Sequence, residues 1–293
     1  MDFLVFFIFA TLRGLNAITI KMAQKDRIKD IHDSIWFNMV FALFQVIFLF
    51  LMPPWGGYNF KLDLLILPAF FGIFFLISQV FLLRALQEGP TSLTNIVNSF
   101  QAIVPIIVGL LIWNEGISSF QMLGLILFFI VLLLFNKGSY DDGKGTKKMT
   151  LKWALFAGIS AIGSGIAIIF TKQYMLTFDG FIKEYLIIYN CVILIISTPY
   201  LAIRGISGKQ KFALDKGFLL YTASPALITD ITNTIYMLYI ARFQSAFFFP
   251  FMSVLNILSV VIMSRVLLKE RISKPAYVGI ILSFIAIYLL GIG

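Results

Sequence analysis

Two ionisable side chains in this chain stand where a charge is hardest to keep. Arg13 lies mid-way along a first apolar stretch, and Asp230 mid-way along an eighth. A charged group in bilayer hydrocarbon costs several kcal/mol, so such a residue faces a cavity or a partner. Each has an amide three residues on, hence on the same helix face: Asn16 after Arg13, Asn233 after Asp230. Thr229, Thr232, Thr234 and Tyr236 make the Asp230 turn unusually polar, and Gly14 lets another helix approach Arg13 closely. Three arrangements fit these residues. Arg13 and Asp230 can form an internal pair that locks two helices, one or both can meet a zwitterionic or charged solute or a proton, or Arg13 can sit near a membrane surface. The reading adopted is a shared one, in which the pair lines a cavity beside Asn16, Asn98 and Asn233.

Other polar residues recur at helical spacing. Thr91, Asn95 and Asn98 form one stripe of a fourth helix that also carries Thr94, Gln101 and Pro105. An offset of 155 residues maps Asn98 onto Ser253, Gln101 onto Asn256, and Ser78-Gln79 onto Asn233-Thr234. Two symmetry-related polar turns near mid-membrane fit a binding site on a pseudo-twofold axis. Tyr185, Tyr189 and Asn190 on a seventh helix, with Trp36 and Asn38 on a second, could wall it. Aromatic rings there suit an organic cation or an aromatic group, although Tyr185 and Trp36 read better as interfacial belt residues. The candidate solute-binding set is Arg13, Asn16, Gln79, Asn95, Asn98, Tyr189, Asp230, Asn233, Tyr236 and Asn256. The competing role for its neutral members is interhelical glue, at about 1 kcal/mol per bond. Lys21 and Lys172 read as snorkelling to headgroups, Glu115 and Glu270 as loop caps, and His32 as a surface residue of a charged loop. Pro105 and Pro250 read as bends.

The elements that must position these residues are membrane helices. Of 293 residues 60% are hydrophobic and 13% charged, against roughly 25% charged in a soluble domain. Apolar stretches of spanning length fall at 3–23, 34–52, 62–86, 91–112 and 118–136, then at 151–175, 182–203, 217–241, 244–267 and 274–292. The fold expected is all-α, a polytopic membrane protein of ten transmembrane helices. A first five-helix repeat at 1–136 and a second at 151–293 are joined by a linker, 137–150.

The repeat is written in the residues. Glu115-Gly-Ile-Ser-Ser with Gly124 recurs as Glu270-Arg-Ile-Ser-Lys with Gly279, and Gly14 to Lys21 matches Gly165 to Lys172. Five helices per copy make the second enter from the opposite face, so the copies are inverted. Odd-numbered loops collect the Lys and Arg residues, Lys25, Arg27 and Lys29 in the first and Lys144, Lys147 and Lys148 in the fifth. The even ones carry only Lys61, Lys183 and Arg242. By the positive-inside rule the odd loops are cytoplasmic and both termini external.

No nucleotide-binding glycine loop, GxSxG or HExxH appears, so no enzyme and no cofactor is expected. A single Cys191 and the lack of a Cys/His cluster argue against disulfide and metal. The formal charge of +9 comes from loops between apolar segments, which points to membrane topology and away from nucleic acid.

Ten helices in two repeats, Ala85-Leu-Gln-Glu-Gly-Pro-Thr-Ser feeding a fourth helix with Pro105, and the Glu-x-Ile-Ser turn at Glu115 and Glu270 resemble EamA-type members of the drug/metabolite transporter superfamily. The resemblance covers the whole chain. It implies a secondary transporter of a cell membrane, of the prokaryotic plasma membrane kind, working by alternating access between the repeats. Without an ATP site it would run on an existing gradient, a proton's for example, or on exchange. The role implied is export of a small polar or amphipathic metabolite such as an amino acid. Alternatives are a drug or organic-cation exporter and a lipid-handling flippase. Its partners would be the bilayer and the solute, the protein being a monomer or homodimer. Both termini would be cytoplasmic, opposite to the charge count. One departure is Arg13-Gly14, where first helices of the family often carry Trp-Gly.

Overall fold

In hydrocarbon every backbone N–H and C=O must be paired within the segment that carries it, so apolar stretches of this length fold as helices. The computed structural model describes residues 2–25, 31–53, 58, 60–88, 94, 97–138, 150–178, 180–206, 215–267 and 274–292. Among them are ten α-helices and no strand: α1 Asp2–Lys25, α2 Ile31–Leu51, α3 Leu62–Glu88, α4 Ile103–Leu111, α5 Ser119–Gly138, α6 Leu151–Thr177, α7 Ile182–Ile206, α8 Lys216–Ile240, α9 Ser245–Leu267 and α10 Lys274–Gly291. A 3-10 turn, Phe100–Ala102, leads into α4. Among the described residues five segments are long and apolar enough to cross a membrane: His32–Leu51, Leu62–Ala85, Leu151–Thr177, Ile182–Ile203 and Ser245–Met263. Helix α8 is not among them, because the polar turns around Asp230 dilute its apolar run.

The described chain divides into two compact units, each drawing on both halves of the sequence. The first comprises 1–80 and 170–241, hence α1, α2, most of α3, the end of α6, α7 and α8. Here α2 packs along α7 and α8, and α1 along α8. Phe37, Val40 and Phe218 form a buried cluster between α2 and α8, against which Trp36 packs. The ring of Phe71 on α3 lies 5.6 Å from Tyr185 and 4.8 Å from Tyr189 on α7. At Gly72 a Cβ would come within 3.0 Å of the Tyr189 carbonyl, so α3 meets α7 through a residue without a side chain. Asp215 caps α8, its carboxylate accepting from the Phe218 N–H at 3.2 Å. Helix α2 starts earlier than the sequence pattern suggested and takes in His32, whose Nδ1 is 2.6 Å from the Tyr200 hydroxyl.

The second unit comprises 81–169 and 242–293. Its most extensive packing is α5 along α10, and α9 touches α4, α5 and α10. Pro105, the third residue of α4, has no N–H for the Gln101 carbonyl, and the backbone there runs as the 3-10 turn. After α4 the chain reverses at Asn114, with φ 52°, and the Glu115 N–H bonds the Gly109 carbonyl at 2.9 Å. Ser118 and Gln121 then start α5 with a capping box, two reciprocal bonds of 3.1 Å.

The reversal aims Glu115 at the first turn of α9, where its Oε2 accepts from the Ser245 N–H at 2.6 Å. Glu115 is thus a cap, as expected of it, though of a helix distant in sequence; Glu270 lies outside the described residues. A carboxylate on a helix N-terminus gains both a charge-assisted bond and the dipole. Glu115→Ala is expected to lower stability by about 1–2 kcal/mol, with Glu115→Gln recovering part of the loss. Thermal unfolding of purified protein reads this, and an unchanged midpoint for Glu115→Ala would reject the cap.

Candidate functional site

The first unit gathers its polar side chains into one buried network drawn from α1, α2, α7 and α8. Arg13 Nη2 donates to Asn233 Oδ1 at 2.8 Å. Asn233 Nδ2 in turn donates to the Tyr189 hydroxyl at 3.3 Å. Gln45 Nε2 donates to Asp230 Oδ1 at 2.8 Å and lies 3.5 Å from the same hydroxyl. Asn16 Nδ2 donates to Thr229 Oγ1 at 2.9 Å. The spacing explains the assembly: Arg13 and Asn16 share a face of α1, Thr229 and Asn233 share a face of α8, and the two helices pack together.

Arg13 and Asp230 do not pair. Each charge meets a neutral amide, Asn233 for the guanidinium and Gln45 for the carboxylate. The expected ion pair is therefore corrected to a charge-separated network, because α8 turns Asn233 toward α1 and Asp230 toward α2. The Arg13 guanidinium also lies 5.3 Å from the centre of the Phe9 ring, a cation–π contact. Asp230 Oδ2 and Asn16 Oδ1 are among five buried side-chain oxygens of the described residues that have no hydrogen-bond partner. Asp230 is fully buried and Asn16 nearly so. Unsatisfied buried acceptors cost free energy, and an N–H donor or a positive charge beside either one would offset it.

Of the candidates read from sequence, Arg13, Asn16, Tyr189, Asp230 and Asn233 are brought together here. Tyr236 lies on α8 three residues beyond Asn233, and Gln79 lies half-buried on α3 in the same unit without a bond to the network. Asn98 and Asn256 belong to the second unit. Asn98 Oδ1 accepts from Ser160 on α6 at 3.1 Å, which is interhelical glue, and the Asn256 side chain is exposed. Asn95 lies outside the described residues.

Two further readings change. Tyr185 is buried, its hydroxyl 2.7 Å from Thr171 Oγ1, so it is no belt residue. Lys172 is fully buried within the protein and does not extend to headgroups, while the Lys21 side chain lies outside the described residues. Gln45 is the member that sequence reasoning missed. The signal was there, a lone amide in the otherwise apolar run Phe41–Phe50. No group of three His, Cys, Asp or Glu among the described residues is placed to hold a metal.

The comparisons with known proteins agree with this architecture. One crystal structure is similar over 98% of this chain and 97% of its own, with a TM-score of 0.70 and 12% sequence identity, a likeness that speaks for the fold alone. A comparison with curated proteins found no match. Residues 3–137 match the EamA-like transporter family. That match stands on the same stretch that carries Arg13, the Ala85–Ser92 phrase and the first Glu-x-Ile-Ser turn. The match spans somewhat less than half of the chain, and over residues 3–137 the protein is similar to the EamA-like transporter family.

Proposed function

We propose that this protein is a secondary active exporter of a small zwitterionic metabolite, with an amino acid as the type of cargo. In this reading residues 1–136 and 151–293 are inverted five-helix repeats joined by 137–150, and they alternate access to the solute. The packing supports it. Helices α2 and α7 hold the same place in the two repeats and pack on each other, as do α5 and α10. Each compact unit takes helices in such pairs, α1 and α2 with α7 and α8 in one, α4 and α5 with α9 and α10 in the other, while α3 and α6 each contribute to both.

One observation carries the cargo class. Arg13 and Asp230 lie in a single network, yet each is bonded to a neutral amide rather than to the other. Charges held apart in this way remain available to a solute that brings both opposite charges. Arg13 offers a guanidinium to a carboxylate, and Asp230 Oδ2 with Asn16 Oδ1 offers acceptors to an ammonium.

The test is competition in reconstituted vesicles between amino acids and analogues that lack one charged group. Losing one charge-assisted contact costs about 1.5–3 kcal/mol, so the decarboxylated amine and the deaminated acid should each compete roughly tenfold or more weakly than the parent. An amine that competes as well as the amino acid, unaffected by Arg13→Gln, would reject the zwitterion in favour of an organic cation.

A further inference from the structure

A cavity of about 360 Å³ lies in the first unit where α2 ends and α7 begins. Its lining includes Leu49, Met52, Tyr58, Phe181, Glu184 and Thr234. We propose that this cavity is a vestibule that holds a small amphipathic solute with a protonated amine before it reaches Asp230. The proposal rests on the reading of the Asp230 network as a solute site and adds where the solute waits and what draws it.

Thr234 links the two places. It lines the cavity, and its hydroxyl donates to the Asp230 carbonyl at 2.8 Å. Residues four apart stack on one helix face, so Asp230 lies one turn deeper along α8, about 6 Å by helical rise. Its Oδ2 is buried and without a partner, one turn from the cavity lining. The volume falls within the range of roughly 300–1,000 Å³ that small-molecule sites occupy.

The walls select an amphipath. Leu49, Met52 and Ile182 suit an apolar group, and the rings of Tyr58 and Phe181 suit a cation. Lys183 and Glu184 both line the cavity and cancel in charge, which leaves Asp230, one turn along α8 from Thr234, as the carboxylate that would favour a cation there, with Arg13 beyond it on Asn233. The Lys183 ammonium is occupied at the rim. It donates to the Met52 carbonyl and lies 5.7 Å from the centre of the Tyr58 ring, tying the end of α2 to the start of α7.

Thiol labelling reads the proposal without requiring a transported substrate. Full-length protein in nanodiscs, with Cys191→Ser as background, would carry Thr234→Cys, or Leu49→Cys as an independent position on α2. Both thiols are expected to react with a cationic methanethiosulfonate about tenfold faster than with its anionic counterpart, because a charged cleft concentrates ions of opposite sign. Adding Asp230→Asn should remove that preference. Phenethylamine should slow the labelling at least about fivefold, and hydrocinnamate, which carries no amine, should not.

Inert thiols at both positions while Met52→Cys at the rim reacts would overturn the vestibule, as would equal rates for the two reagents. Equal protection by phenethylamine and hydrocinnamate would overturn the amine. Protection by phenethylamine at least as strong as by L-phenylalanine would uphold the vestibule while sinking the zwitterion reading.

Discussion

Asp230→Asn is expected to abolish solute movement in reconstituted vesicles while leaving the protein as stable as the parent, or more stable. The substitution keeps an oxygen for Gln45, whose bond to Asp230 Oδ1 is the one contact anchoring this side chain to α2. What it removes is the charge. A buried carboxylate with one oxygen unpartnered is a cost to the folded state, so its loss does not weaken the fold. The solute loses a desolvated charge partner, worth about 2–5 kcal/mol, a fall in apparent affinity or rate between roughly 30-fold and a few thousandfold.

Initial rates and thermal unfolding, measured side by side, separate this from the alternative of a permanent Arg13–Asp230 lock. A lock predicts that each single neutralisation destabilises and that the double variant recovers much of the loss. With each charge bonded to its own amide, the double variant should instead regain none of the stability that either single substitution costs. A sharply lowered midpoint for Asp230→Asn, restored by Arg13→Gln, would sink the charge-separated reading. Gln45→Leu is the complementary control: it leaves Asp230 Oδ1 without its donor and should destabilise by about 1.5–3 kcal/mol.

Much of this site was legible before any coordinates. Arg13 and Asp230 declare themselves because ionisable residues inside apolar stretches are rare and expensive. Asn16 and Asn233 follow from them by helical spacing alone. What the sequence does not state is which helix each face meets. Arg13 bonds Asn233 rather than Asp230 because α1 lies along α8, while Asp230 looks toward α2. The same gap explains Gln45, which gained meaning only once α2 was seen to pack on both α7 and α8.

The repeat offset, by contrast, gives register and not direction. It put Asn98 and Asn256 on equivalent helices, yet the Asn98 side chain is taken by Ser160 and that of Asn256 is exposed. Lys172 and Tyr185 were misread for a related reason. Position near a helix end suggests headgroups only if the surrounding helices leave that end uncovered, and here both side chains are buried. The Glu-x-Ile-Ser phrase was read correctly as structural, and its chemistry is now specific. Glu115 holds the start of α9 and Ser118 caps α5.

The glycines of the repeat make the strongest stability prediction, and α6 supplies its own control. A Cβ on Gly165 would lie 2.5 Å from both Cβ and Cγ2 of Val104 and 2.8 Å from the Gln101 carbonyl oxygen. None of these is the far end of a flexible side chain: a carbonyl is fixed by its backbone, and Val104 is β-branched and stiff at χ1. The second unit thus brings α6 against the 3-10 turn and the start of α4 through a residue with no side chain, the close approach that small residues permit between membrane helices. Gly158, seven residues earlier on the same helix, has nothing within 4 Å of the equivalent position. Helix propensity alone favours Ala over Gly by roughly 0.5–1 kcal/mol, so Gly158→Ala should be neutral or stabilising. Gly165→Ala must overcome that gain and still push two segments apart, an overpacking cost of about 1–3 kcal/mol, and Gly165→Val should cost more. Thermal unfolding of the three variants in one detergent gives the comparison directly, since detergent, span and helix are common to all. Gly165→Ala unfolding at the same temperature as Gly158→Ala would show that α6 does not approach α4 this closely, and that the recurrence of Gly14 at Gly165 has another cause.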